Sequence, residues 1–150
     1  MKSLIVFYSF HHNNTEKIAN VFAKVLHAEI KKPQEVKPEE IQEYDLVGFG
    51  SGIYGEKHHE EILDLADKLP PVINKKAFIF STSALIDNAT KHKTLRKKLE
   101  SKGYLIVDEF SCKGFNTNSF LKFFGGMNKG RPNAEDLEHA KEFAQNLLMK

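Results

Sequence analysis

The residues most able to do chemistry lie near the start of the chain, in Ser9-Phe10-His11-His12-Asn13-Asn14-Thr15. This polar loop runs from an apolar strand-like stretch straight into a helix-like one. Hydroxyls, amides and imidazoles meet there with the backbone N–H groups and positive dipole end of the helix. That combination makes an anion site, and phosphate is the expected anion. The loop holds no Lys or Arg. A GxxxxGK[ST] triphosphate loop needs its lysine, and the GxGxxG pattern is missing as well. A single phosphate monoester held by neutral donors is therefore expected. Plain capping by Asn14 or Thr15 is the simpler alternative, but a cap does not require six polar residues.

Three other segments invite the same question. Gly50-Ser51-Gly52-Ile53-Tyr54-Gly55-Glu56-Lys57-His58-His59 supplies glycines that let backbone approach a ligand, with Tyr54 as a flat face beside them. Ser81-Thr82-Ser83-Ala84-Leu85-Ile86 is small and polar, then briefly apolar. Ser111 to Thr117 and Phe123 to Met127 lie beyond the last strand-like run. His58-His59-Glu60-Glu61 suggests metal, but adjacent helical residues point about 100° apart and HExxH spacing is absent. It is expected to be a solvated helix start. Cys112 is expected to be a buried strand-end thiol, and Phe7, Tyr8 and Phe49 core.

The elements that must position these segments alternate. Ser3 to Tyr8 is an apolar strand covered on both faces. Thr15 to His27 is a helix burying Ile18, Val21, Phe22 and Val25. A short strand is expected at Ala28 to Ile30 and a short helix from Pro38. Further strands are expected at Tyr44 to Gly50, Lys76 to Ser81 and from Tyr104 toward Cys112. Helices are expected at His58 to Leu69, Lys91 to Lys102 and Ala134 to Met149. This order implies one α/β domain over residues 1–150, with a parallel sheet between helices. Ligands of such sheets sit outside the carboxyl ends of the strands, which is where all four segments fall.

The bulk properties agree. The chain has 150 residues, enough for one full core, and a net charge of +2 with its cations spread along the sequence. Lys31-Lys32 and the Lys91 to Lys98 cluster are read as solvated faces, so no nucleic acid is expected as a partner. No membrane span and no signal peptide are expected. The single cysteine suits a reducing compartment, so a cytoplasmic location is expected.

On these residues the chain resembles the flavodoxin-like family over essentially its whole length. Tyr8-Ser9 through Ala19 matches the phosphate loop, Val47 to Tyr54 the second flavin loop, and Phe80 to Ala84 the third. The resemblance implies a doubly wound three-layer sandwich with a five-stranded parallel sheet in order 2-1-3-4-5. It implies FMN as cofactor. The 5′-phosphate would rest on Ser9, His11, His12, Asn13, Asn14 and Thr15. Ser51, Gly52, Ile53, Tyr54 and Gly55 would flank the isoalloxazine, with a carbonyl from Gly52 to Gly55 facing N5. Thr82, Ser83, Ala84 and Leu85 would hold the pyrimidine edge, and the nearest candidates to cover the outer face are Phe115 and the Phe120 to Phe124 group; if neither does, that face is open to a substrate. The implied function is transport of low-potential electrons between redox proteins. The alternative is an FMN-dependent oxidoreductase acting on a quinone or similar planar substrate, and the second loop is also similar to that of flavodoxin-like protoporphyrinogen oxidases. The chain departs from the family where Asn13 replaces a glycine, where His11-His12 lengthen the loop, in the third loop's missing aromatic, and in its slightly basic charge.

Overall fold

The computed structural model describes residues 1–9, 14–83, 87–113 and 132–150, with Asn88 and Ala89 described by backbone alone. Among the described residues, five parallel strands form the sheet: β1 (Ser3–Tyr8), β2 (Glu29–Lys31), β3 (Leu46–Tyr54), β5 (Lys75–Ser83) and β6 (Tyr104–Lys113). A two-residue strand, β4 (Lys57–His58), pairs antiparallel with the end of β3. The spatial order is β2-β1-β3-β5-β6. Counting parallel strands alone, this is the 2-1-3-4-5 order expected from the sequence.

The helices are α1 (Asn14–Leu26), α2 (Glu60–Lys68), α3 (Asn88–Lys91), α4 (Lys93–Ser101) and α5 (Ala134–Leu147), with short 3-10 turns at Pro33–Glu35 and Pro38–Glu43. They form two layers because each strand alternates its side chains between two cores. Ile5, Phe7, Phe78 and Phe80 pack against Ile18 and Phe22 of α1 and Ala140 and Ala144 of α5. Leu4, Val6, Val47 and Ile79 pack on the other side with Ile62 of α2 and Leu99 of α4. Among the residues expected to face inward on α1, Ile18 and Phe22 are fully buried while Val21 and Val25 lie at the margin.

Two local features position the site. Gly48 and Gly50 sit beside Phe78 and Phe80 in register, and a Cβ at either would come within 2.2–2.7 Å of the neighbouring ring. These glycines make room for large aromatics, so Gly50 belongs to the core packing and not to a loop. The second feature is a register shift between β5 and β6. Ile106 lies opposite Ala77, but Asp108 lies opposite Phe78, so Val107 is inserted. A bulge of this kind re-aims the residues beyond it. Without it Glu109 would sit opposite Phe80 and face α1 and α5. With it Glu109 sits opposite Ile79 and faces α4.

Candidate functional site

The strands end level with one another. Tyr8, Ser51, Ser81 and Ser111 form one row across β1, β3, β5 and β6. The segments singled out in the sequence leave the sheet from this row.

At the exit of β1, Ser9 Oγ is shielded from solvent and has no hydrogen-bond partner among the described residues. Asn14 and Thr15 open α1 and are both buried. A thirteen-residue helix brings its unpaired N–H groups and dipole to that end. His11, His12 and Asn13 lie outside the described residues. Phe7, Tyr8, Ser9, Glu16, Lys32 and Gln34 line a cleft of about 140 Å³ here. Lys32 was missed as a site residue because its sequence neighbourhood looks like a solvated face. The pairing of β2 beside β1 is what carries it to the cleft wall.

The exit of β3 differs from expectation. The strand continues to Tyr54, turns over Gly55 and Glu56, and returns as β4. Both turn residues have positive φ, 58° and 67°, as a two-residue hairpin turn matching strand twist requires. Ser51 Oγ closes the base of this hairpin, donating to the Gly52 carbonyl at 2.6 Å and accepting from the His59 N–H at 3.0 Å. His59 in turn caps α2, its Nδ1 accepting from the Glu61 N–H. The His59 ring stacks on Tyr8 with centroids 3.8 Å apart, and Tyr54 meets it edge-on at 5.1 Å. The three rings form a ledge between the exits of β1 and β3. Tyr8, expected as core, is only partly buried and belongs to this ledge. Tyr54 is 38% exposed, and Ile53 beside it is half-buried. Burial, with a contribution from Tyr8, raises the Tyr54 hydroxyl above its ordinary pKa.

His58 also corrects the sequence reading. It belongs to β4, not to a solvated helix start, and it is 1% exposed. Its Nε2 lies 2.9 Å from the Phe80 carbonyl, so the ring donates there. Nδ1 is buried and has no hydrogen-bond partner among the described residues. Burial, reinforced by neighbouring His92, pushes the ring down to a pKa of about 3, so it is neutral at neutral pH. No group of three or more His, Cys, Asp or Glu is arranged for metal among the described residues.

At the exit of β5, Thr82 shares a 2.9 Å hydrogen bond with Thr15 between their hydroxyls. This bond joins the start of α1 directly to the third segment. Ser83 is next at the strand end, whereas Ala84 and Leu85 lie outside the described residues, as do Phe115 and the Phe120 to Phe124 group. Cys112 is buried, as expected.

The fold and this edge define a doubly wound α/β protein with a polar helix start and an aromatic ledge at the carboxyl ends of its central strands. The comparisons give the family. The model of the flavodoxin domain matches residues 5–124, and the chain belongs to the flavodoxin family. It is 51% identical to the uncharacterized protein MJ0298 of Methanocaldococcus jannaschii over 149 residues, 99% of each chain. Among solved structures it resembles oxidised flavodoxin 2 from Bacillus cereus at 20% identity, with 99% of both chains covered and a TM-score of 0.74. A flavodoxin from Streptococcus pneumoniae TIGR4 is similar at 17% identity, again over 99% of both chains, with a TM-score of 0.71. At those identities the structural likeness speaks for the fold.

Proposed function

We propose that this protein binds FMN and carries electrons through the flavin edge between redox partners. The observation that carries this reading is the Thr15–Thr82 hydrogen bond. It ties the helix start suited to a phosphate to the strand end suited to a flat ring. The residues fit the group: Ser9 Oγ is a shielded donor without a partner among the described residues, and Thr15 lies in the first turn of α1. Ser9, Asn14 and Thr15, with His11, His12 and Asn13, would hold the 5′-phosphate. Ile53 and Tyr54 would lie along the isoalloxazine, with a Gly52 to Gly55 carbonyl toward N5. Thr82, Ser83, Ala84 and Leu85 would hold the pyrimidine edge, with Phe115 a candidate for the outer face. Bound FMN supplies a ring that accepts and releases electrons. The chain's part is to orient that ring, keep its inner face from water and leave one edge reachable. The single cysteine supports a cytoplasmic setting, and no described helix is long and apolar enough to cross a membrane.

Titration of the purified protein with FMN tests the proposal. One equivalent is expected to bind, quenching flavin fluorescence and perturbing the visible spectrum. A protein that leaves both unchanged overturns it. The net charge of +2 favours a second reading, an FMN-dependent oxidoreductase acting on a quinone or similar planar substrate. A strongly acidic surface, which suits a carrier that docks on basic partners, is missing. Reductive titration separates the two: two resolved one-electron steps support the carrier, and one two-electron step supports the enzyme.

A further inference from the structure

Three consecutive residues at the end of β5 are each gripped from a different element. The Phe80 carbonyl accepts from His58 of β4 at 2.9 Å, Ser81 Oγ lies 2.7 Å from Nε2 of His92, and Thr82 is tied to Thr15 of α1. His92 is the residue that precedes α4, and both it and Ser81 are essentially without exposure, at 0% and 1%. Nδ1 of His92 lies 2.9 Å from Glu109 Oε1. Arg96 holds the same carboxylate with two bonds, Nε to Oε2 at 2.8 Å and Nη2 to Oε1 at 2.6 Å.

The chemistry orders the protons. Burial alone would raise the Glu109 carboxyl, but the hydrogen bonds from His92 and Arg96 outweigh it and hold the pKa at about 2. An ionised carboxylate can only accept, so Nδ1 of His92 carries a proton. With Nδ1 protonated, Nε2 is the ring nitrogen that faces the Ser81 hydroxyl. The spacing is that of a serine–histidine–acid nucleophile triad. Burial of Ser81 between the sheet and α4 removes the access a nucleophile needs. What this chain can act on is backbone. It closes the base of the segment running from Ser81 to His92, which includes the strand end at Thr82 and Ser83. The bulge at Val107 exists in the right place for this purpose, since it alone turns Glu109 to the α4 face.

We infer that Ser81, His92 and Glu109 are positioning residues that fix the Thr82–Ser83 backbone against the ring of the bound cofactor. The inference rests on the FMN reading for its ligand, and on the geometry alone for its rigidity. Two variants of the full chain, Ser81→Ala and His92→Phe, test it beside Leu99→Ala, which damages the α4 core without touching the hydrogen bonds. Amide hydrogen exchange of the flavin-free protein is read at Thr82 and Ser83, then FMN affinity and the midpoint potential of the bound flavin. Exchange at least tenfold faster at both amides, an FMN Kd raised about tenfold and a shifted potential are expected in Ser81→Ala and His92→Phe. Leu99→Ala is expected to lose stability and leave the affinity and potential as they were. Unchanged exchange in Ser81→Ala overturns the inference, and so does a Leu99→Ala variant that moves affinity and potential equally. Should the wild type take up no FMN, the functional reading fails by itself, and the inference loses its ligand while exchange still decides the rigidity. Ser81→Ala keeps the test open if His92→Phe does not fold.

Discussion

The exits of β3 and β5 stand side by side in the same sheet and are built in opposite ways. The β3 exit is closed by hydrogen bonds at short range. Its hairpin turns over Gly55-Glu56, and Ser51 bonds to residues one and eight positions away. The β5 exit is held by others. Its partners lie 22, 11 and 67 positions away, on β4, at the start of α4 and on α1. The two exits also touch, because His58 sits on the returning strand of the β3 hairpin and bonds to the Phe80 carbonyl. A strand end gripped from three directions moves only if three elements move with it. The edge therefore pairs a hairpin closed at short range, carrying Tyr54, with a strand end anchored at long range, carrying Thr82.

The sharpest way to break this contrast is to drive the two exits apart. Gly50→Val places methyl groups where a Cβ alone would meet the Phe80 ring at 2.3 Å. Overpacking against that ring is expected to cost about 3 kcal/mol in urea unfolding. A second substitution, Phe80→Leu, is expected to recover part of it, which ties the loss to that contact.

A smaller effect comes from pH and acts where the two exits meet, at His58. His58 has a folded pKa of about 3 against 6.5 for the free side chain. The unfolded chain therefore takes up the proton first as the solution is acidified. Stability is fully present above pH 6.5 and falls away between 6.5 and 3. The loss is expected to reach about 2 kcal/mol between pH 7 and 5, at up to about 1.4 kcal/mol per pH unit. Glu109 acts lower, because its stabilisation is lost only as pH falls from 4.5 to about 2. His58→Phe is expected to flatten the loss between pH 7 and 5. A variant with the wild-type slope would assign that slope elsewhere.

The β3 exit is tested by Ser51→Ala. It removes a hydroxyl that both donates and accepts at a fully buried position. An expected cost of about 1.5 kcal/mol should come with faster hydrogen exchange in the hairpin and a smaller rise at Thr82. Exchange that rises equally at both exits would show that the two do not differ in this way. The smallest change is a gain. Glu56 holds a φ of 67°, which a side chain resists and glycine does not. Glu56→Gly is expected to stabilise the fold by about 0.5 kcal/mol, seen as a slightly higher Tm.

The same contrast explains what could be read from the amino-acid order. The strand order came from the resemblance to the flavodoxin-like family, while the alternation of apolar runs and helical stripes was enough for the layers, because each strand's burial is written in its own residues. The start of α1 was legible for the same reason. The β3 exit was half legible. Its glycines were visible and Gly50 was expected at the strand end, but the ring that needs its empty space lies on β5. The β5 grip could not be read. His58 and His92 sit in polar, charged neighbourhoods typical of solvated helix starts, and only tertiary packing buries them. Glu109 was hidden by the bulge, since simple alternation places its side chain on the opposite face. Lys32 reaches the cleft through strand pairing, which no local pattern reports.

Cys112 lies opposite Thr82 in the β5–β6 ladder and is the chain's single thiol. Its burial makes it a built-in clock for that side of the sheet. Its side chain packs with the α1 and α5 core, so a thiol reagent can react only when that packing opens, and the labelling rate counts those openings in an unmodified protein. Slow labelling that slows further on addition of FMN would time the opening of that core without a single substitution.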